Sequence, residues 1–157
     1  MKILIFSDSH GELSYMRKAI KKEKPDYVFH LGDHDRDAEE LEREFPLLPI
    51  VAVRGNCDSW GSDSPLTRLI PIGGLRLFLC HGHTLGVKGG LLRASYAARE
   101  QEADILLYGH THEAHSETDP SGLVLFNPGA CGYSWSPSYG CLTIAGDKKY
   151  QLTIKKC

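Results

Sequence analysis

The first third of the chain alternates three short apolar runs with two stretches of helical spacing. The apolar runs cover residues 2–7, 26–31 and 50–53, and the helical stretches cover residues 11–23 and 35–44. The second helical stretch has few apolar positions, so we expect it to cover the outside of a sheet. Strands that alternate with helices in this way favour a parallel sheet with short connections. The sequence therefore predicts a β-α-β-α-β unit.

The rest of the chain predicts mainly strands. Two strands, at residues 67–71 and 75–80, flank Gly73-Gly74, a pair that is typical of a hairpin turn. A helix is predicted for residues 91–102, and further strands are predicted for residues 105–108, 123–126, 140–144 and 150–154. A mixed sheet, or two sheets packed together with helices outside, accommodates this order. Since no internal repeat or low-complexity linker interrupts it, we expect one domain over residues 1–157.

Composition argues against several classes of partner. A net charge of −2 gives no reason to expect a basic surface for long nucleic acids or anionic membranes. The five cysteines contain no CxxC pair and are predicted to be free thiols in a reducing compartment. The first apolar run is too short for a signal peptide, and no segment has the length of a membrane span. We expect a cytoplasmic protein, and an edge strand near the carboxyl terminus would allow a homo-oligomer.

Metal-competent side chains follow five of the predicted strands at the point where each strand ends. The motifs are Ser7-Asp8-Ser9-His10, Gly32-Asp33, Gly55-Asn56-Cys57-Asp58, His81-Gly82-His83 and Gly109-His110-Thr111-His112. Each motif alone has a simpler explanation, because Asp8 could cap a helix and Asn or Asp residues are common in turns. The carboxyl ends of strands, however, form the ligand crevice of open α/β sheets. Together and in this order, the motifs predict a metal site.

This ordered set of motifs resembles that of the calcineurin-like metallophosphoesterases, from residue 1 to about residue 132. The short length and the Gly-Asn-Cys-Asp variant are similar to the small bacterial and archaeal phosphodiesterases of that superfamily. The resemblance implies an α/β fold in which two packed mixed β-sheets are flanked by helices, in a four-layer αββα arrangement. It also implies a metal-dependent phosphoric ester hydrolase, with a small phosphate ester as its substrate.

The resemblance further implies two divalent cations that share one carboxylate. Asp8, His10 and His112 would hold the first cation, Asn56, His81 and His110 would hold the second, and Asp33 would bridge both. Mixed oxygen and imidazole ligands suit Mn²⁺, Fe, Zn²⁺ or Ni²⁺. Among these the resemblance favours Mn²⁺. Ser7 and Ser9 are expected to be hydrogen-bonding neighbours of the first metal, or residues at the start of a helix, rather than nucleophiles.

Two such cations would promote in-line displacement at phosphorus, with a hydroxide that bridges them as the nucleophile. Asp33, Asn56, His83 and Asp58 are the residues expected to act in catalysis. Many relatives carry a histidine where this chain has Cys57, and a thiol is a poor proton donor near neutral pH. His83 is the replacement suggested by position, and Asp58 is expected to orient a neighbouring histidine.

Other functions stay open at this level. A phosphomonoesterase would use the same chemistry, although the missing histidine favours diesters. A protein-binding scaffold of the same fold, like the retromer subunit, is the alternative from another class, although every expected metal position here keeps a competent residue. Residues 61–65 could form a loop at the rim of the site. Trp60, Trp135, Tyr133 and Tyr139 could supply that rim for a nucleobase or aryl group, and His115 is expected to be solvated.

Overall fold

The computed structural model describes residues 1–58 and 62–157. Trp60 and the first residue of the loop predicted at residues 61–65 lie outside the described residues. In chain order, the elements are β1 (Lys2–Phe6), α1 (Ser14–Glu23), β2 (Tyr27–His30), α2 (Asp35–Glu44), β3 (Ile50–Ala52), β4 (Thr67–Ile72), β5 (Leu75–Cys80), a 3₁₀ turn (His83–Leu85), α3 (Leu92–Glu100), β6 (Ile105–Leu107), β7 (Ala114–Thr118), β8 (Val124–Pro128), β9 (Ser138–Gly146) and β10 (Lys149–Lys156).

The strands form two mixed sheets of five strands each. The first sheet has the order β10-β9-β1-β2-β3, and the second has the order β4-β5-β6-β8-β7. In the first sheet β1, β2 and β3 are parallel, and β9 and β10 are antiparallel additions. In the second sheet β5, β6 and β8 are parallel, and the edge strands β4 and β7 are antiparallel. Each sheet therefore has parallel strands whose carboxyl ends point the same way.

Three apolar clusters fix the layers. Alternate side chains of both sheets, including Ile5, Phe29, Leu79 and Phe126, meet in one buried cluster between the sheets. A second cluster joins the outer face of the first sheet to α1 and α2, and a third joins the outer face of the second sheet to α3. These clusters give the order helix, sheet, sheet, helix. The two packed mixed sheets with flanking helices that the sequence predicts are confirmed.

Several element boundaries differ from the prediction. The first helix begins at Ser14 rather than at residue 11, because Asp8, His10 and Gly11 all have positive φ and cannot continue a helix. Strand β7 was not predicted, since its side chains are mostly exposed and polar and show no apolar alternation. The hairpin at Gly73-Gly74 is confirmed, with φ of 58° and 81° at the two glycines.

The five cysteines are free, as predicted. Three of them, Cys80, Cys131 and Cys141, are buried and contribute to the apolar layers. Among the helices that the structure describes, none has the combined length and apolar character that crossing a bilayer requires.

Candidate metal centre

The two sheets bring the seven predicted ligands to one end of the sandwich. The first sheet supplies Asp8 and His10 after β1, Asp33 after β2 and Asn56 after β3, and the second supplies His81 after β5 and His110 and His112 after β6. The amide of His110 donates to Asp8 Oδ2 at 3.1 Å and joins the loops across the two sheets, and the amide of Gly109 donates to the carbonyl of His81 at 3.1 Å and joins two loops of the second sheet. The convergence that the motifs predicted is therefore present.

Backbone strain is concentrated at these residues. Five of the seven have positive φ: Asp8 at 55°, His10 at 48°, Asp33 at 60°, His110 at 68° and His112 at 61°. Residues with a Cβ rarely adopt this region of φ. Each such conformation costs of order 1–3 kcal/mol and persists only where the surrounding structure enforces it. Such strain is characteristic of functional sites, where the direction of a side chain is maintained at the expense of a low-energy backbone conformation.

Four side chains form a cluster that fits a cation. Ligand atoms of Asp8, His10, Asp33 and His112 all lie within 4.8 Å of one another. Among the described residues, the buried His10 Nε2 has no hydrogen-bond partner, and the buried Asp8 Oδ1 has none beyond its contact of 3.1 Å with His112 Nε2. A buried polar atom without a partner costs about 1–3 kcal/mol, so a ligand is the natural explanation. Two carboxylates with two imidazoles form a donor set suited to a divalent transition metal.

Asp8 lies at the buried centre of this cluster. Its Oδ2 accepts hydrogen bonds from Ser7 Oγ at 2.5 Å and from the amide of His110, and its Oδ1 lies 3.1 Å from His112 Nε2. Burial alone would raise the pKa of this carboxyl. The contact with His112 and the nearby His81 outweigh burial, so the pKa of Asp8 is lowered. The same contact raises the pKa of His112.

Asp33 lies between the two predicted sets of ligands. Its Oδ2 is 3.8 Å from His10 Nε2 and its Oδ1 is 3.4 Å from His81 Nε2, so the two oxygens face opposite sets. The carboxylate is pressed against the next loop, where the amide of Cys57 donates to Oδ1 at 2.9 Å. A Cβ at Gly55 would come within 2.2 Å of Oδ1, so only glycine leaves room for this carboxylate. This placement is the one that a bridging carboxylate needs.

His81 presents one defined nitrogen to the centre. Its ring is fully buried, and Nδ1 lies 2.7 Å from the carbonyl oxygen of Leu31, which can only accept, so Nδ1 must carry the hydrogen. Its Nε2 lies 3.1 Å from Asn56 Oδ1, and its ring centroid is 5.0 Å from that of His110. A hydrogen bond from Nδ1 to a carbonyl is the usual way in which proteins hold a metal-binding imidazole. Asn56, His81 and His110 therefore lie together on the side of Asp33 that faces the second sheet.

Asp58 differs from the expectation that it would orient a histidine. Its carboxylate accepts hydrogen bonds from the backbone amides of Asp33, His34, Asp35 and Gly55, at distances of 2.6 to 3.1 Å. Burial opposes its charge, but these amides outweigh burial and lower the pKa of Asp58. Asp58 therefore fixes the backbone of the loop that carries Asp33, and the role predicted for it as a histidine partner is wrong.

A buried polar network that the sequence did not reveal supports the first loop. Ser9 Oγ donates to Asp37 Oδ2 at 2.6 Å and lies 2.9 Å from Nε2 of the fully buried His30. Asp37 also accepts the amide of Gly11 at 2.8 Å. Asp37 lies in the first turn of α2, and nothing in the local sequence separates this buried residue from the neighbouring Asp35. Ser9 has the hydrogen-bonding role that was expected.

Asn127 supports the loop of the second sheet in a similar way. This fully buried amide donates from Nδ2 to the carbonyl of Gly109 and to Thr111 Oγ1, both at 3.0 Å. Its Oδ1 accepts the amide of Gly129, which closes the Asn-Pro-Gly turn. The turn therefore holds the segment from which His110 and His112 project. The side chain of His115, which was expected to be solvated, is 38% exposed, and its Nδ1 also lies 2.8 Å from the Tyr108 hydroxyl.

His83 lies beside the second set of ligands, with its ring centroid 5.4 Å from that of His81. Burial, followed by the proximity of His81, lowers the pKa of His83. The residue lines a cavity of about 390 Å³ together with Arg54, Asn56, Asp58 and Leu66. His83 therefore borders a space that a substrate could enter.

Of the aromatic residues predicted to form a rim around the site, two are exposed and one is buried. Tyr133 and Trp135 are exposed, whereas Tyr139 is 2% exposed and packs against Phe6, with ring centroids 5.6 Å apart. Tyr139 belongs to the apolar cluster under α1 and does not border the centre.

The chain is similar to known proteins in both sequence and fold. The sequence matches the model of the calcineurin-like phosphoesterase superfamily domain over residues 1–147. The probable metallophosphoesterase YsnB of Bacillus subtilis is 36% identical over 153 residues, covering 94% of this chain and 86% of that protein. The phosphodiesterase MJ0936 of Methanocaldococcus jannaschii is 33% identical over 165 residues, covering 90% and 92%. The crystal structure of Vps29 from Entamoeba histolytica complexed with Zn²⁺ has a similar fold, with a TM-score of 0.77, 21% identity and 99% of both chains covered.

Proposed function

The chain belongs to the calcineurin-like phosphoesterase superfamily, and on that premise we propose that it is a phosphodiesterase that uses two divalent cations. The single observation that carries the proposal is the position of Asp33, whose two oxygens face His10 on one side and His81 on the other. The buried atoms Asp8 Oδ1 and His10 Nε2 support it, because both belong to the cluster of ligand atoms that would surround a cation.

The seven residues would hold the cations in two sets that share Asp33. Asp8, His10 and His112 would bind the first cation, and Asn56, His81 and His110 would bind the second. Bound cations would supply Lewis acidity toward the phosphate oxygens and would lower the pKa of water. We propose Mn²⁺ as the first metal to test, with Ni²⁺, Zn²⁺ and Fe as alternatives that the ligand set also suits.

The protein's own proton donors favour esters with good leaving groups. Burial and the neighbouring Asp33 carboxylate raise the pKa of Cys57 to about 11, so this thiol is a weak acid. His83 has a lowered pKa and is mostly unprotonated at pH 7, so it is a weak proton donor as well. General acid catalysis is typically worth about 10²–10⁴-fold, and a site that lacks it selects substrates that need it less.

The lack of a strong proton donor in the site also favours a diester over a monoester as the substrate. The relative MJ0936 is named a phosphodiesterase, which supports the same class. We propose a small phosphodiester as the substrate and the cytoplasm as the location, since the five thiols are free.

The test compares two ester classes under defined metal supply. Metal-free protein receives Mn²⁺, Ni²⁺, Zn²⁺, Fe²⁺ or Mg²⁺ separately, and bis(4-nitrophenyl) phosphate is assayed beside 4-nitrophenyl phosphate. We expect metal-restored hydrolysis of the diester, and we expect Asp33→Asn and His81→Ala to lower kcat/KM by at least about 10²-fold. Asp147→Asn, in the exposed turn between β9 and β10, and His115→Ala are matched controls that should retain activity.

Different outcomes separate the competing functions. Faster hydrolysis of the monoester would replace the diesterase with a monoesterase of the same chemistry. Activity that persists in both variants would point to a contaminating enzyme or to a wrong site. No turnover with any metal by the folded protein would favour a protein-binding scaffold. The fold neighbour Vps29 was crystallised with Zn²⁺, so retention of metal ligands alone does not decide between these functions.

A further inference from the structure

The cavity beside Asn56 and His83 has a wall that the proposed reaction does not use. Its volume of about 390 Å³ lies within the range of small-molecule pockets, roughly 300–1,000 Å³. Arg54, Leu66, His83 and Thr84 are among the side chains that line it. The cavity therefore adjoins the metal centre at Asn56 and extends away from it toward a cationic and an apolar side chain.

Arg54 carries a charge that the protein does not neutralise. The residue is partly buried, and its amide donates to the carbonyl of Pro65 at 2.8 Å, which fixes its backbone between two loops. Within residues 1–58 and 62–157 its guanidinium takes part in no ion pair or hydrogen bond, and residues 59–61 contain no carboxylate. A partly buried cation usually has a partner, so an unpaired one at a cavity wall indicates an external anion.

Asp58, the carboxylate that lines this cavity, already accepts hydrogen bonds from backbone amides. Both oxygens of Asp58 accept hydrogen bonds from backbone amides of the Asp33 loop and of Gly55. Asp58 lies farther than 4.0 Å from the Arg54 guanidinium, since the two form no ion pair. The donors of Arg54 are therefore available to a bound molecule.

Arg54 is also close to the reacting centre. Arg54 and His83 line the same cavity, together with the proposed ligand Asn56. Leu66 exposes 37% of its surface although it is a large apolar residue. A group bound here would thus meet an apolar side chain and a cation while its phosphorus lies near Asn56.

We propose that this cavity binds a substituent of the phosphodiester that carries a second negative charge, and that Arg54 pairs with that charge. Guanidinium binds carboxylates and phosphates alike through parallel N–H donors, so either oxyanion would serve. The inference rests on the proposed function, since it takes the metal centre as the place of reaction. It makes this chain selective for dianionic diesters over singly charged ones.

The experiment compares three diesters that share one 4-nitrophenyl group. The second ester group is 4-carboxyphenyl, 4-phosphonophenyl or the neutral 4-carbamoylphenyl, and all phenols released are quantified by chromatography. We expect kcat/KM to be about tenfold higher for the charged diesters, as one charge-assisted pair in a partly exposed site allows. The ratio between the two charged diesters shows which oxyanion the cavity prefers.

Three variants identify the residue responsible. Arg54→Met replaces the aliphatic part of the side chain and removes the guanidinium, and it should lower kcat/KM for the charged diesters about tenfold more than for the neutral one. Arg54→Lys should keep part of the preference, because a point charge replaces a fork of donors. Arg93→Met, on the exposed face of α3, makes the same change in net charge and should leave the preference intact. An equal loss on all three diesters in Arg54→Met would overturn the inference, because Arg54 would then act on the reacting phosphoryl group itself.

Binding without turnover separates this inference from the proposed function. The phosphinates (4-carboxyphenyl)(phenyl)phosphinate and its carbamoyl counterpart attach both aryl groups to phosphorus through carbon, so they have no ester bond to hydrolyse. Isothermal titration of the Mn²⁺-loaded protein should give a lower Kd for the carboxylate, and Arg54→Met should remove the difference. This result in a protein without esterase activity would contradict the hydrolase and support the anion site. Equal Kd values in an active enzyme would overturn the anion site and leave the hydrolase standing.

Discussion

Cys57 follows the proposed ligand Asn56, and its environment makes it a poor proton donor. The amide of Cys57 binds Asp33 Oδ1, so the backbone of this residue is fixed whatever side chain it carries. The thiol has a pKa of about 11 and accepts a weak hydrogen bond from Asn56 Nδ2 at 3.4 Å. Position 57 is therefore a place where the side chain can be changed with little change to the metal loop.

Cys57→His should restore general acid catalysis. Its imidazole would titrate near pH 6.5 in the absence of other effects and would reach the ester oxygen from the position of Cys57. We expect kcat/KM for diphenyl phosphate, which has a poor leaving group, to rise about tenfold or more, with a smaller gain for bis(4-nitrophenyl) phosphate. Cys57→Asn is the matched control, because it is polar but cannot donate a proton from a titrating group. Equal gains on both esters, or a gain with asparagine, would show that proton donation is not what position 57 lacks.

The seven proposed ligands could be read from the sequence because each lies in a short motif after an apolar run. The residues that support these ligands could not be predicted from the sequence. Asn127 contacts Gly109 and Thr111 from a different strand, and Asp58 binds four backbone amides rather than a histidine. Such roles depend on the direction of each side chain in three dimensions, which residue type and spacing do not encode.

At the scale of elements, periodicity predicted the strands that carry apolar residues and failed where it was absent. Strand β7 lies at the edge of its sheet and has mainly polar, exposed side chains, so no alternation marks it. The first helix was predicted three residues too early, because the Asp8–Gly11 segment bends to direct two proposed ligands. In both cases tertiary context outweighed local propensity.

Glu23 connects three elements at the carboxyl end of α1. Its carboxylate accepts hydrogen bonds from Lys2 Nζ at 3.1 Å at the start of β1 and from Lys155 Nζ at 2.7 Å in β10. The Glu23 side chain is 9% exposed, whereas those of the two lysines are 35% and 37% exposed. The two lysines lower the pKa of Glu23 from its ordinary 4.5 to about 2.

Glu23→Gln should therefore destabilise the protein at neutral pH. Because water screens the partly exposed lysines, we expect a loss of about 1–2 kcal/mol in the free energy of unfolding. A lowered carboxyl pKa gives stability that is present above pH 4.5 and is lost as the pH falls toward 2, so the difference from wild type should narrow between pH 7 and pH 3. Urea unfolding measures this difference, with Glu42→Gln on the exposed face of α2 as the control. A difference that is constant with pH would mean that Glu23 contributes packing rather than charge.

At the scale of the whole molecule, the candidate centre is shared between the two sheets. Within the first set alone, Asp8, His10 and Asp33 come from the first sheet and His112 comes from the second. The sandwich is otherwise joined by apolar contacts between the sheets and by a few hydrogen bonds between their loops. Cations bound at this end would therefore connect the two sheets directly, in addition to serving any reaction.

Metal binding should in consequence stabilise the entire fold. A ligand present at a hundredfold excess over its Kd adds about 2.7 kcal/mol to the free energy of unfolding. For a protein of this size we expect Mn²⁺ to raise Tm by roughly 5–10 °C over the metal-free protein. Calorimetry over a range of metal concentrations measures the shift, and Asp33→Asn should lose most of it while Asp147→Asn keeps it.

Hydrogen exchange distinguishes a metal centre that links the two sheets from metal binding that stabilises the loops of one sheet alone. If one centre joins them, the loops after β1 and β2 and the loop after β6 should gain protection together at the same metal concentration, because the same cations order both sides. Protection confined to the loops of the first sheet would mean that His81, His110 and His112 of the second sheet do not take part. In that case the cations would bind to a single sheet, and the two-sheet centre on which the proposed hydrolysis depends would be contradicted without any assay of activity.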